Sequence, residues 1–271
     1  MLKQRIITAL CMLPVALTGF FWLQGGWFAL FIAAVIGVGA WEWARLAGLE
    51  TQRQRIGYAG GLLLLLWLLW LLPQLAGAVL ALAVLWWLLA IALVFSYPDS
   101  VRLWQSRRAR LLIGLPILLP AWQGLVLLKQ WPEGNSLILA VMLLVWTADV
   151  GAYFSGRRFG RRKLARQVSP GKSWEGVYGG LAASLLLTLL VGLYEDWSAR
   201  GLMLALFGVA LVVLISVIGD LTESMFKRQA GLKDSSNLLP GHGGILDRID
   251  SLTAAVPMFA VLLWLDGWGG L

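Results

Sequence analysis

Residues 202–250 read LMLALFGVALVVLISVIGDLTESMFKRQAGLKDSSNLLPGHGGILDRID. Leu202 to Gly219 is an apolar run close to the roughly 20 residues that a helix needs to cross a bilayer. Asp220 to Asp250 is the opposite in character. It holds Asp220, Glu223, Asp234, Asp247 and Asp250, with Lys227, Arg228, Lys233 and Arg248 among them, and His242, the chain's 1 histidine. A second apolar run, Leu252 to Leu265, follows at once. The stretch therefore predicts membrane helices whose ends carry the polar chemistry.

If the helix runs on past Asp220, then Asp220, Glu223, Ser224 and Lys227 fall at i, i+3, i+4 and i+7, on one face. Asp247 and Asp250 repeat the i, i+3 spacing at the start of the next helix, where the macrodipole favours anions. Pro240-Gly241 and Gly243-Gly244 allow a tight loop whose backbone N–H groups can face an anion. Hard oxygen ligands, basic side chains and a glycine loop are what a magnesium-phosphate site requires. A charged, solvated loop is the plainer reading, and composition alone does not separate the two.

The same pattern extends through the chain. Of 271 residues, 59% are hydrophobic and 13% charged, against about 25% charged in soluble proteins; the mean hydropathy is +0.79. An all-α polytopic membrane protein is expected, with about nine transmembrane helices. The apolar runs are Ile6 to Leu23, Trp27 to Ala44, Gly57 to Leu72, Leu75 to Phe95, Leu111 to Leu128, Leu137 to Phe154, Gly176 to Tyr194, Leu202 to Gly219 and Leu252 to Leu265. The first, behind Lys3 and Arg5, is similar to a signal peptide but has no convincing cleavage site, so it reads as a retained helix. The last spans only if it starts near Asp247 and extends to Trp268; otherwise the chain has eight spans and a re-entrant segment. The Leu-rich hairpin around Pro73 reads as lipid-facing scaffold. Trp22, Trp27, Trp41, Trp43, Trp131, Trp197 and Trp268 lie near run ends, as interfacial anchors do.

Charge orients the chain. With nine spans and the N-terminus inside, all of the 22 Lys and Arg residues except Lys129 and Arg200 fall on the cytoplasmic side, as the positive-inside rule demands. The net charge of +8 is thus a topology signal and implies no nucleic acid. The polar stretch faces the cytoplasm and the C-terminus lies outside. The lone cysteine, Cys11, excludes an intrachain disulfide and a cysteine metal cluster. Residues 1–130 read as scaffold and 131–271 as the catalytic region.

A second polar cluster begins at Asp149, in WTADVGAYFSGRRFG, where an acid at membrane depth needs a partner or water. Gly151, Gly156 and Gly160 permit close packing or a bent backbone. The loop after it contains SPGKSWEG, with Ser169, Lys172, Ser173 and Glu175. Its GKS is similar to a phosphate loop but lacks the G-x-x-x-x-G-K-[ST] spacing; a basic anchor followed by a capped helix explains it equally.

From Ser224 to Asp250 the chain resembles the signature of the phosphatidate cytidylyltransferases, or CDP-diacylglycerol synthases: Ser224-Met225-Phe226-Lys227-Arg228, then Lys233-Asp234, then His242 through Asp250. The likeness continues at Asp149-x-Gly151-Ala152-Tyr153, Ser169-Pro170-x-Lys172, Glu175-Gly176 and Gly219-Asp220 with Glu223. The resemblance implies transfer of CMP from CTP to phosphatidic acid, giving CDP-diacylglycerol and pyrophosphate, with Mg2+ as cofactor. It implies a cytoplasmic-side active site in the inner membrane and a homodimer. Under it, Asp220 and Asp247 are the expected metal ligands, supported by Glu223, Asp250 and Asp149. Lys227, Arg228, Lys233 and Arg248 would hold phosphates, with Asp220, Asp247, Lys227 and Arg248 central to catalysis. Ser169, Lys172, Ser173 and Ser224 would contact nucleotide or lipid phosphate. His242, Gly243 and Gly244 form the phosphate loop, though His242 also fits a purely structural capping role. CDP-alcohol phosphotransferases require D-G-x-x-A-R, whereas Asp220-Leu221-Thr222-Glu223 stands here. A CTP-dependent polyprenol kinase and an ion-coupled transporter are the competing functions.

Overall fold

The computed structural model describes residues 2–267, and Trp268 lies outside them. Helix α1 (Leu2–Leu17) continues into a π-helical turn (Thr18–Trp22), followed by α2 (Gly25–Leu46), α3 (Gln52–Leu71) and α4 (Ala76–Phe95). A four-residue helix, α5 (Val101–Trp104), leads into α6 (Arg107–Gln130) and α7 (Gly134–Phe159). Strands β1 (Lys163–Ala165) and β2 (Ser169–Ser173) form an antiparallel hairpin, then come α8 (Trp174–Tyr194), α9 (Ala199–Gln229) and α10 (Leu246–Leu265).

Every predicted apolar run has become a helix. Among the described residues, 8 are long and apolar enough to cross a membrane, and a shorter apolar helix covers Leu10–Trp22. The protein is a polytopic helical membrane protein. The last span starts at Leu246, so it does borrow the turn containing Asp247. Pro116, Pro120 and Pro257 are each accommodated within a helix, as membrane helices allow. The hairpin β1–β2 departs from an all-helical plan; the sequence predicts only a loop there.

Packing separates the Leu-rich hairpin into two different helices. The apolar window of α3 is only 17% buried, as a lipid-facing helix should be. One face of α4, with Leu80, Ala83, Trp87 and Ala90, instead enters the core beside α6, α9 and α10. Trp43 and Trp131 depart from the interfacial role expected of them, because both are buried. Trp43 Nε1 donates to the Arg110 carbonyl at 2.9 Å, and its ring packs on Phe226 with centroids 4.7 Å apart. Trp22 and Trp27 remain exposed as predicted. Small residues bring α7 and α8 together: a Cβ on Gly151 would lie 2.7 Å from the Gly179 carbonyl oxygen, the close approach that glycine permits between membrane helices.

Polar contacts mark two ends of the bundle. At one end, Arg45 Nη1 donates to the Ser235 carbonyl at 3.1 Å, Arg228 Nε to the Val168 carbonyl at 3.2 Å, and Thr8 Oγ1 to the Pro240 carbonyl at 3.0 Å. At the other, Lys129 Nζ donates to the Phe20 carbonyl at 2.7 Å and Asn135 Nδ2 to the Phe21 carbonyl at 3.2 Å. These bonds engage carbonyl groups of the π-helical turn. Lys129, one of two basic residues assigned to the outer side, thus lies away from the basic segments.

Candidate active site

Helix α9 outruns its apolar segment and carries its polar stripe to Gln229. The i, i+4 spacing is used twice: Ser224 Oγ donates to Asp220 Oδ1 at 3.2 Å, and Lys227 Nζ to Glu223 Oε2 at 3.1 Å. Lys227 also reaches across to α10, meeting Asp247 Oδ1 at 2.6 Å. The three side chains are 10%, 4% and 5% exposed, so this is a buried ion triad whose disruption would strand a charge. Behind it, Phe226 lies between Trp43 and Trp104, at centroid distances of 4.7 and 4.5 Å.

The loop from Gly231 to Ile245 folds onto Asp247. Asp247 Oδ2 accepts from Ser235 N at 2.9 Å and Gly244 N at 2.8 Å, and lies 2.9 Å from Ser235 Oγ. Leu239 N donates to the Gly243 carbonyl, and His242 N to the Leu239 carbonyl, each at 2.8 Å. Gly241 and Gly243 take φ of +78° and +83°, where a side chain is costly. The glycine loop's N–H groups do face anions, but those of Gly244, Ile245 and Leu246 face the protein's own carboxylates. His242 Nδ1 is buried without a partner among the described residues.

The second predicted cluster joins the first. Lys172, on β2, forms an ion pair with Asp220 Oδ2 at 2.5 Å, both groups about a quarter exposed. Asp149 lies within electrostatic reach of Lys172, Asp220 and Arg248, and Asp250 within reach of Asp220, Glu223 and Lys227. Asp149, Lys172, Asp220 and Arg248 are therefore neighbours, with Asp149 and Arg248 exposed and Asp250 set behind them beside Glu223. Lys233 is exposed on the loop. Arg228 anchors the hairpin through the Val168 carbonyl.

Three members of the SPGKSWEG segment have local structural work. Ser173 Oγ caps α8 by accepting from Gly176 N at 3.1 Å, so a capped helix does follow the basic turn. Ser169 starts β2 and pairs with Ala165. Glu175 gathers Arg161 N at 3.1 Å and Arg162 Nε at 3.3 Å, tying the basic turn to α8.

One residue central to this geometry is absent from the predicted site. Glu42, on α2, is 0% exposed. It meets Ser236 Oγ at 2.5 Å, Ile245 N at 3.0 Å and Leu246 N at 2.6 Å. The available signal was a single acid within an otherwise apolar membrane segment.

The donor set is of hard oxygens, suited to a divalent cation bound to phosphates. Asp220 is partly exposed, and the buried Glu223 carboxyl faces that of Asp250. Glu223 and Asp250 line a common cavity of about 10 Å³ with Thr222 and Gly219, roughly the room for one water. No group of three His, Cys, Asp or Glu residues among those described stands in metal-binding geometry, and Lys172 and Lys227 are paired with the carboxylates instead.

A profile of the cytidylyltransferase family matches residues 3–266. A phosphatidate cytidylyltransferase of Pseudomonas aeruginosa is 70% identical over 269 residues, covering 99% of each chain. That of Haemophilus influenzae is 44% identical over 96% of this chain and 98% of its own. That of Brucella suis is 38% identical over 98% and 93%. This breadth includes the helices before the signature as well as the signature itself, and the chain belongs to the phosphatidate cytidylyltransferase family.

Proposed function

We infer that the protein transfers CMP from CTP to phosphatidic acid, producing CDP-diacylglycerol and pyrophosphate for phospholipid synthesis. The observation that carries the local reading is the union of two distant sequence clusters through Lys172 and Asp220. This union puts cations and carboxylates from the hairpin, α9 and α10 around one surface at a bundle end, where a nucleotide can meet a lipid headgroup. The distribution of Lys and Arg supports a cytoplasmic placement of that end, and the family resemblance supports the inner membrane. A lipid kinase would need the same charges but release CDP, and product identity separates the two.

The phosphate of phosphatidic acid is already an anionic nucleophile, so attack on the α-phosphorus of CTP needs no general base. The obstacle is repulsion between the anions, and screening it is the protein's main task. Lys172 and Arg248 bring cationic groups to the rim, Lys227 sets its charge behind them between Glu223 and Asp247, and Arg228 and Lys233 extend the positive surface along the loop. His242, Gly243 and Gly244 would meet phosphate from the loop over Asp247, and Ser169 on β2 and Ser224 on α9 would contact it from their own elements.

Asp220 and Asp250 would hold Mg2+, with Glu223 Oε1 adjacent and Asp149 nearby. Asp247 would join them only by relaxing its hold on Lys227. When bound, Mg2+ neutralises phosphate charge and stabilises the departing pyrophosphate. A homodimer is proposed on the resemblance alone.

The test is an assay in detergent with labelled CTP, phosphatidic acid and magnesium, omitting each in turn. CDP-diacylglycerol and pyrophosphate should form only with all three present. Formation of CDP together with a phosphorylated lipid would overturn the assignment.

A further inference from the structure

Glu42 is not part of the signature, and no phosphate-binding or metal role requires it. It sits on α2, one of the helices read as scaffold, yet it touches both ends of the loop that closes the site. Its Oε1 accepts from Ser236 Oγ at 2.5 Å and Ile245 N at 3.0 Å; its Oε2 accepts from Leu246 N at 2.6 Å. Ser235 Oγ stands 3.2 Å from Glu42 Oε2 and 2.9 Å from Asp247 Oδ2. Its single proton serves one of them at a time, which links the two acids through one hydroxyl. Arg45, three residues on, holds the Ser235 carbonyl. A Cβ at Gly244 would collide with Ser235 Oγ and Glu42 Oε1, so the glycine leaves space for the carboxylate.

We propose that Glu42 is a positioning residue for the active site, setting the 235–246 loop and thereby the placement of Asp247, Gly243 and His242. The proposal rests on the reading that this loop belongs to the active site. Two oxygens are required, because each accepts from a backbone N–H. A hydroxyl can rotate to accept, but an N–H can only donate. A glutamine must therefore set its NH2 group against Ile245 N–H or Leu246 N–H, in either orientation, and leave a buried donor unpaired. The same two N–H groups lie at the start of α10, where an acceptor with negative charge also meets the positive end of the helix.

The test uses the full chain in detergent with Glu42→Gln, Glu42→Asp and Asp247→Asn, normalised to folded enzyme. Turnover is measured against CTP, and amide exchange is followed by mass spectrometry over residues 235–248. Glu42→Gln should accelerate exchange across the loop, raise KM for CTP and lower kcat/KM by about 10- to 100-fold. Glu42→Asp, which keeps both oxygens, should recover part of each change. If Glu42→Gln does not fold, Ser236→Ala, which spares both backbone bonds, should show the same pattern at about several-fold. Unchanged loop exchange, or a loss of activity with KM for CTP unaltered and no recovery in Glu42→Asp, overturns the proposal. Normal turnover of Asp247→Asn, with exchange still accelerated in Glu42→Gln, instead overturns the underlying placement of the loop in the site.

Discussion

Lys227 binds Glu223 and Asp247 at once, so its removal has a cost apart from catalysis. Lys227→Met leaves two buried carboxylates facing one another, and should destabilise the fold by about 3–5 kcal/mol, read as a lowered unfolding temperature in detergent. Asp220 is different, being partly exposed and paired with Lys172. Asp220→Asn should abolish CDP-diacylglycerol formation while shifting the melting temperature little; near-normal turnover would remove Asp220 from the proposed metal site. At this scale the signature residues were legible, because i, i+3 and i+4 spacing on a helix is a local property. The partners were not: nothing in the order of residues says that Lys172 finds Asp220 or that Glu42 finds Leu246.

Helix α8 begins where Ser173 accepts from Gly176 N. Ser173→Ala should cost about 1 kcal/mol of stability, with KM for CTP unchanged; a raised KM at unaltered stability would return the hydroxyl to the substrate. The α7–α8 contact depends on the absence of side chains at Gly151 and Gly179. Gly151→Leu should drive the helices apart and lower the unfolding temperature, since overpacking costs about 1–3 kcal/mol. Asp149 lies one turn or less from Gly151, so activity should fall as well. The short hairpin was missed as an element because its strands are three and five residues long, and its pairing carries no clear period-2 pattern. Its polar, glycine-containing sequence reads as a turn until Arg228 and the end of α9 hold it in place.

The whole molecule gathers its basic segments at one end of the bundle and leaves Lys129 at the other. A cysteine placed at Lys233 in a Cys11→Ala background should react with an impermeant maleimide only in inverted membrane vesicles. One placed at Arg200 should react only in right-side-out vesicles. The reverse pattern would put the site outside the cell and contradict the charge rule.

Membrane crossing, the place of each membrane helix and the family likeness were all present in the sequence, although α9 runs on past Gly219 to Gln229 and α10 starts at Leu246, ahead of its apolar run. Each follows from one-dimensional properties: apolar length against bilayer thickness, charge between spans, and side-chain spacing along a helix. Tertiary structure alone decided that α4 is core while α3 is not, that Trp43 backs the site rather than anchoring at an interface, and that Asp247 is engaged on both oxygens. It also brought Glu42, from the second helix, to hold a loop almost two hundred residues away. The physical reason is that a bilayer sorts segments by composition, whereas a buried carboxylate is satisfied only by the donors that folding brings within hydrogen-bond reach.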